Sequence, residues 1–365
     1  MDANNTEHFY HHRSRNNQQS VLTKNNHVNH LRQIPNLCSL EITMPVIHLS
    51  SARKGNAEFK FPNTLHFRQT VKEMFEEIYK PILDAVKVPL PSDAVVGNPD
   101  KFSQYIDALN LKLAHPDVLS RVPAKHHEIT STRLCSLTVA IKLAELAYRF
   151  SVPDANVLRH YAVGTSTVYG ELHCSQMASF VDQLNMGPSD YFMDLGSGIG
   201  HLVNFVAAYA RTQMSVGVEL MDNLAEIAEK NKEFNERLLN HFGKKVYATR
   251  FIHGSFTSPA VIREIQTKAT VILANNVRFD PELKLQLKEI LMGCKDRTRI
   301  ISSEPLVPSR ARQTNSRRAD DFVKISDESL LNLVDNNVSW TSRKVPFYLT
   351  TINRNKVSFF YCVRF

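Results

Sequence analysis

A glycine-rich run in the middle of the chain could bind a small charged ligand. Asp194-Leu195-Gly196-Ser197-Gly198-Ile199-Gly200 joins a predicted strand to a predicted helix. Glycines at such a turn let a ligand approach the backbone, and the free N–H groups of the helix N-terminus attract a negative group. A Gly-x-Gly pattern alone also fits a dinucleotide. Because a carboxylate at Asp194 would repel a pyrophosphate, the run favours S-adenosylmethionine, whose amino-acid end carries an ammonium.

A second acidic residue ends the next predicted strand. Glu219 could accept hydrogen bonds from both hydroxyls of a ribose. Taken alone it would be interpreted as a solvated strand end, but its distance from the glycine run favours ribose binding. After the third predicted strand, Ser255 and Phe256 stand where an adenine ring is expected in such folds. Core packing is the alternative for Phe256.

A third motif, Asn275-Asn276-Val277-Arg278-Phe279, follows the fourth predicted strand. An Asn followed by an aromatic residue at this position often marks enzymes that methylate nitrogen, because the amide oxygen orients an amine lone pair and the ring excludes water. Methyl transfer depends on positioning. A lysine must arrive as the neutral amine, which a dry channel favours by lowering its pKa. The alternative is a loop held by asparagine side-chain hydrogen bonds.

These motifs fall at strand ends in an alternation of short strands and helices that begins near residue 168. The alternation predicts a doubly wound parallel sheet, and with the motifs it predicts a seven-stranded, Rossmann-like class I S-adenosylmethionine-dependent methyltransferase fold. Two final strands, Pro346–Ile352 and Val357–Phe365, are separated by a short polar turn and predict an antiparallel hairpin. The other predicted strands are Tyr191–Leu195, Met214–Leu220, Val246–Ile252, Thr270–Ala274 and Arg299–Ser303.

The chain upstream has a different composition. Residues 1–36 are rich in Asn, His, Gln and Ser and predict a disordered polar tail, because they cannot bury enough apolar surface to offset ordering entropy. Residues 37–165 predict a mostly helical domain and a linker, with helices near Thr70–Val88 and Leu134–Phe150. Residues 166–365 predict the methyltransferase domain.

The net charge and the cysteines indicate which partners and which cellular compartment to expect. The 365 residues carry a formal net charge of +8, which suits an acidic partner such as nucleic acid or chromatin; a solvated basic surface is the alternative. The five cysteines include no Cys-x-x-Cys pair, so no metal site is predicted and a reducing compartment is expected. No long uncharged apolar run is present, so no membrane span is expected.

Six motifs occur in this order along the chain: Val168-Tyr169-Gly170-Glu171, Asp194 to Gly200, Asn275-Asn276 with Phe279, Ser302-Ser303, Thr314-Asn315-Ser316-Arg317 and Val338-Ser339-Trp340-Thr341. Together they closely resemble the disruptor-of-telomeric-silencing family of histone lysine methyltransferases. The resemblance runs from about Ser131 to Ile352 and takes in Ser151-Val152-Pro153-Asp154, which is similar to a loop that in the family folds over the cofactor. It implies a nuclear enzyme outside the SET-domain class that methylates a lysine in the globular core of histone H3 on the nucleosome.

The resemblance also implies roles for individual residues. Asn275 would lie near the transferred methyl group as the catalytic residue. Val277, Phe279 and Phe347 would line the lysine channel. The residues expected around S-adenosylmethionine are Tyr169, Gly170, Glu171, Leu172, Asp194, Gly196, Ser197, Gly198, His201, Glu219, Ser255 and Phe256.

Several residues depart from the family pattern. Ser255 replaces an acidic residue, His201 a Gln, Leu172 a Thr, Val277 an aromatic residue, Phe347 a Tyr and Glu304 a Lys, while Arg278 adds a cation near the lysine channel. Three functions therefore stay open: a histone H3 lysine methyltransferase, a diverged and weakly active or inactive chromatin-binding or partner module, and an amine methyltransferase for another substrate. Candidates for nucleosome anchoring are Arg310, Arg312, Arg317, Arg318, Lys244 and Lys245.

Overall fold

The computed structural model describes residues 45–154, 171–307 and 321–356, apart from Lys54, Ser131, Asn336, Trp340 and Ser342. The described residues from Pro45 onward belong to one compact unit. Several predictions lie outside the described residues: the tail 1–36, the cofactor contacts Tyr169 and Gly170, and the anchoring candidates Arg310, Arg312, Arg317 and Arg318.

A seven-stranded sheet forms the centre of this unit, in the order β5-β4-β3-β6-β7-β9-β8. The first five strands in this order run parallel to one another, and β9 is antiparallel to both of its neighbours. The predicted fold class is thereby confirmed. The strands are β3 (Tyr191–Leu195), β4 (Met214–Glu219), β5 (Thr249–His253), β6 (Val271–Ala274), β7 (Arg299–Ser302), β8 (Ser326–Leu330) and β9 (Tyr348–Ile352); a separate hairpin joins β1 (Val46–Leu49) and β2 (Phe59–Pro62).

β9 lies at its predicted position, but the partner predicted for it is wrong, because its two edges are hydrogen-bonded to β7 and to β8. The second strand of the predicted hairpin, Val357–Phe365, lies outside the described residues. The partner strand β8, Ser326–Leu330, has the sequence SDESL and was not predicted. Its strand conformation comes from pairing with β9 at the rim of the sheet, where polar side chains can face water.

Helices cover both faces of the sheet. Alternate residues of a strand point to opposite faces, so Phe192 joins one apolar cluster and Met193 joins the other. The first cluster includes helices α7 (Cys174–Gln183), α8 (His201–Ala210) and α9 (Asp222–His241); the second includes α10 (Pro259–Lys268) and α11 (Pro281–Met292).

The described segment before the sheet contains the β1–β2 hairpin and several helices, and a separate helical domain there stays a prediction. Its last helix, α6 (Leu137–Ser151), packs on α9, where the rings of Phe150 and Phe234 stack with their centres 5.4 Å apart. Its apolar residues belong to the same cluster as the first face of the sheet; the predicted boundary at residue 165 falls outside the described residues and stays a prediction. The helices are α1 (Leu65–Met74), a π-helical turn (Phe75–Tyr79), α2 (Lys80–Ala85), α3 (Asp93–Val96), α4 (Pro99–Leu113), α5 (His127–Thr130) and α6 (Leu137–Ser151), while α12 (Asp321–Lys324) precedes β8.

The helices give no sign of a membrane span. Within the described ranges, none combines the length and the apolar character that crossing a bilayer requires.

Candidate active site

A cleft opens at the carboxyl ends of β3, β4 and β6, the edge where open parallel sheets bind ligands. Its empty space, including the open mouth, is about 1340 Å³. Every predicted site residue that the structure describes lines this one cleft, which brings together four motifs that are far apart in the chain. They are Glu171, Leu172, Asp194, Gly196, Ser197, Gly198, His201, Glu219, Ser255, Phe256, Asn275, Val277, Phe279 and Phe347.

A largely apolar part of the cleft wall was not predicted from the sequence. Several of its residues lie at strand ends or near the start of α9, and a parallel sheet brings such positions close to the glycine turn. The missed residues are Leu195, Leu202, Val218, Leu220, Met221, Leu224, Gly254, Leu273 and Leu283.

The glycine turn between β3 and α8 requires glycine for two reasons. Gly196, Gly198 and Gly200 have φ angles of +90°, +54° and +73°, a region that residues with a Cβ rarely adopt. A Cβ on Gly200 would also lie 2.1 Å from the ring of Phe251. Around Gly196 a Cβ would meet nothing within 4 Å, so the backbone there faces open space that a ligand can approach.

The Glu219 carboxylate forms hydrogen bonds with this turn and with the residue that follows β4. Its Oε2 accepts the N–H of Gly198 at 2.8 Å, and its Oε1 accepts the N–H of Met221 at 2.8 Å. The side chain is buried. Since each carboxylate oxygen can accept more than one hydrogen bond, this arrangement leaves capacity for the two hydroxyls of a ribose.

Asp194 is a buried carboxyl at the end of β3. Its exposed fraction is 4%, and burial, reinforced by the nearby charge of Glu219, raises its pKa to about 8. A neutral carboxyl is therefore favoured near neutral pH until a positive group arrives. This electrostatic environment fits a ligand that carries an ammonium and a ribose.

His201 begins α8 and faces the cleft. Its Nε2 lies 3.2 Å from the carbonyl oxygen of Leu172, and because a carbonyl only accepts, Nε2 carries the proton. Nδ1, which holds a lone pair in the neutral ring, lies 3.7 Å from the Glu171 carboxylate. This histidine can therefore accept a hydrogen bond at Nδ1, which the Gln it replaces could also do.

Two distant motifs form one wall of the cleft. Leu172 pairs with Val338 in an antiparallel bridge. Beside it, the Glu171 N–H donates to Ser339 Oγ at 3.0 Å, and the Ser339 N–H donates to the Glu171 carbonyl at 2.9 Å. The segment after β8 thus fixes the backbone that presents Glu171 and Leu172.

The two adjacent asparagines have different surroundings. Asn276 is buried, and its Oδ1 accepts the Glu304 N–H at 2.8 Å and the Ser303 hydroxyl at 3.3 Å. Ser303 Oγ in turn accepts the Val277 N–H at 3.0 Å. We call this set, Asn276, Ser303 and the backbone of Val277 and Glu304, the loop clamp. It holds the loop, while Asn275 lines the cleft.

The predicted adenine and channel aromatics touch each other. The rings of Phe256 and Phe279 are stacked, with their centres 5.6 Å apart and an angle of 24° between their planes. Ser255 is engaged locally, because its Oγ accepts the Thr257 N–H at 3.1 Å. The wall next to the expected adenine is therefore mainly aromatic.

The expected lysine channel is apolar in this protein. Phe347 is fully buried and its ring packs against Phe180 at 5.3 Å. Val277, on the same cleft wall, is half-buried. Glu304, which stands where the family pattern has a lysine, forms an ion pair of 2.7 Å with Lys284 on α11, so its charge is balanced.

The prediction that Lys244 anchors a nucleosome is wrong. Its exposed fraction is 4%, and its Nζ donates to the carbonyl oxygens of Glu128 and Thr132. These contacts connect the loop after α9 to the segment around α5. Lys245 remains exposed, with its Nζ 4.7 Å from the centre of the Tyr247 ring.

Residues 148–352 match the family described as "Histone methylation protein DOT1". The chain belongs to this family. The DOT1 match spans every residue that lines the cleft, so the predicted family resemblance is confirmed over the region that contains the site.

Two relatives in the DOT1 family carry the name "Histone-lysine N-methyltransferase, H3 lysine-79 specific". The one from Caenorhabditis elegans is 38% identical over 229 residues, which cover 62% of this chain and 24% of the relative. The one from Drosophila melanogaster is 29% identical over 262 residues, which cover 72% of this chain and 13% of the relative. The match thus spans a quarter or less of the length of these relatives.

Among solved structures, an RNA methyltransferase from Salinibacter ruber in complex with S-adenosyl-L-homocysteine overlaps with a TM-score of 0.32 and 19% identity. It covers 48% of this chain and 90% of that protein. An overlap of this extent adds nothing to the fold assignment made from the sheet itself.

Proposed function

We propose that this protein is a histone lysine methyltransferase that uses S-adenosylmethionine and modifies a lysine in the globular core of nucleosomal histone H3. The observation that carries the proposal is the DOT1 match over the whole cleft, whose inner wall has two buried carboxyls beside a glycine turn and whose outer wall bears Asn275 on a fixed loop. The names of the two relatives specify lysine 79 of histone H3 as their substrate.

The inner half of the cleft suits the cofactor. Asp194 would accept the ammonium of its amino-acid end, directly or through water, because a cation restores the charged carboxylate in a buried setting. Glu219 would accept the ribose hydroxyls while the N–H of Gly198 holds it in place. Phe256 would contact the adenine face. When bound, S-adenosylmethionine supplies an electrophilic methyl group.

The outer half of the cleft suits a neutral amine. Val277, Phe279 and Phe347 would exclude water from the lysine side chain, which favours its uncharged form. Asn275 would orient the amine lone pair. The amine would become positively charged on accepting the methyl group and would then lose one proton to solvent. The residues contribute mainly by positioning.

Nuclear location and contact with nucleosomal DNA through exposed basic residues belong to the same proposal. Of the two predicted anchors that the structure describes, Lys245 is the one whose side chain is exposed and can make such a contact. The +8 net charge favours an acidic surface.

The test offers labelled S-adenosylmethionine together with recombinant nucleosomes, free histones or RNA. We expect label on nucleosomal histone H3 and its loss in Asn275→Ala. Asn240→Ala, an exposed position on α9, serves as the matched control and should keep full activity. Label on RNA or on another protein would instead support the amine methyltransferase. Cofactor binding by calorimetry without label on any substrate would contradict the proposal and favour a binding module.

A further inference from the structure

Arg278 is an exposed arginine at the mouth of the cleft. It ends the 3₁₀ turn Asn276–Arg278 and lies between the channel residues Val277 and Phe279. Among the residues that the structure describes, it is the one lysine or arginine that lines the cleft, and it forms no ion pair within 4.0 Å.

The backbone that carries Arg278 is fixed. The loop clamp holds Asn276 through Glu304 and Ser303, and the Phe279 N–H donates to the Asn276 carbonyl at 3.2 Å. The backbone of Arg278 is therefore fixed beside the cleft that the residue lines.

This placement has an electrostatic consequence for the methyl acceptor. Glu171, Asp194 and Glu219 line the cleft, whereas Arg278 at the rim has no ion-pair partner among the residues that the structure describes. A lysine that approaches as an ammonium is repelled at the rim. A carboxylate close to that lysine removes the repulsion and can bind the guanidinium through two parallel hydrogen bonds.

We propose that Arg278 selects acceptor lysines that have an acidic residue next to them on the substrate surface. The lysine side chain enters the channel while its backbone stays at the mouth, so residues beside it meet the rim. A DNA phosphate could also bind an arginine, but Arg278 lines the same cleft as Val277 and Phe279, so it is placed to meet groups close to the lysine that enters there. This inference rests on the proposed function and defines its substrate class.

The experiment reverses charge on both sides of the contact. Nucleosomes are prepared in which each acidic residue beside the H3 lysine is changed to lysine, one at a time. Arg278→Glu should raise KM about fivefold with little change in kcat, because a rim contact is made equally in the ground and transition states. One charge-reversed nucleosome should restore the KM of Arg278→Glu while raising that of the unchanged enzyme. Arg263→Glu, an exposed arginine on α10, is the matched control.

Binding of each nucleosome is measured alongside methylation, so Arg278 is tested even without turnover. Absence of methylation by the unchanged enzyme would contradict the proposed function, while rescue in binding would still support the role of Arg278. Equal KM and equal binding for Arg278→Glu and the unchanged enzyme would overturn the inference. So would a loss that no charge-reversed nucleosome restores and that free DNA reproduces by competition, since that pattern indicates phosphate.

Discussion

Glu219 Oε2 accepts the N–H of Gly198 at 2.8 Å, so the side chain that ends β4 holds the turn that follows β3. Its second oxygen accepts the Met221 N–H at 2.8 Å. The carboxylate therefore has its orientation before any ligand binds. Preorganisation of this kind lowers the cost of ordering the site on binding.

Glu219→Gln should destabilise the ligand-free protein as well as weaken cofactor binding. The amide of glutamine offers one acceptor oxygen where the carboxylate has two, so a buried N–H loses its partner. We expect a loss of about 1–3 kcal/mol in the free energy of unfolding, measured by urea denaturation. Glu226→Gln, exposed on α9, is the control. Equal stability of the two variants would show that Glu219 acts only on the ligand.

The buried Asp194 should make the stability of the free protein depend on pH. Its pKa is raised from 3.8 to about 8, so the folded state holds a proton that the unfolded state has lost. The contribution of this group is complete below pH 4 and declines as pH rises to about 8. Asp194→Asn should flatten this part of the pH–stability curve. An unchanged slope in the variant would contradict the raised pKa.

The same group should release a proton when cofactor binds. Near pH 7 a bound ammonium restores the carboxylate, so calorimetry in two buffers of different ionisation enthalpy should report up to about one proton released. In Asp194→Asn the measured heat should no longer depend on this release, and binding should weaken.

Gly200→Ala should damage the fold near the site. The residue has φ of +73°, and the new Cβ would overlap the ring of Phe251. We expect a loss of about 2–4 kcal/mol in the free energy of unfolding. Gly187→Ala is the matched control, because a Cβ there meets nothing within 4 Å. If both variants unfold at the same urea concentration, the turn must be able to rearrange.

Ser303→Ala should lower kcat clearly while changing the free energy of unfolding only modestly. It removes one of the clamp hydrogen bonds and leaves the Val277 N–H without its acceptor, so the loop that carries Asn275 becomes less well positioned. Ser303→Thr keeps the hydroxyl and should recover much of the rate. Ser302→Ala is the control, since the adjacent buried hydroxyl makes no hydrogen bond to the described part of the chain. Equal rates for the two alanine variants would exclude a positioning role.

Lys244→Met should reduce stability without a direct effect on nucleosome affinity. The carbonyl oxygens of Glu128 and Thr132 would lose a buried donor, at a cost of about 1–3 kcal/mol. Lys245→Met should leave stability unchanged and lower nucleosome affinity in a salt-dependent way if this lysine contacts phosphate. The reverse pattern would restore Lys244 as an anchor.

The sequence predicted the parts of the site that depend on local chemistry. The glycine turn, Glu219 at a strand end and the Asn275 loop are each recognisable within a few residues, and a parallel sheet brings strand ends together. The family resemblance singled out Asn275, but the sequence did not show that Asn276 holds the loop, because its hydrogen-bond partners Ser303 and Glu304 come from the segment after β7.

Other errors have the same physical origin. From the sequence, Lys244 was predicted to be a surface residue. In the structure its Nζ donates to three oxygen atoms of Glu128 and Thr132, which lie more than 100 positions earlier in the chain. The polar sequence of β8 has no apolar alternation, so only its pairing with β9 reveals a strand. In each case the deciding partner is remote in the chain.

The bridge between Leu172 and Val338 has a consequence for the order of events during synthesis. Glu171 and Ser339, which hydrogen-bond beside it, are 168 positions apart, and Phe347 and β9 follow still later. A growing chain that has emerged only as far as β7 contains the glycine turn and Glu219 but lacks one wall of the cleft. The nascent chain therefore cannot complete the cleft until almost the whole of residues 171–352 has left the ribosome.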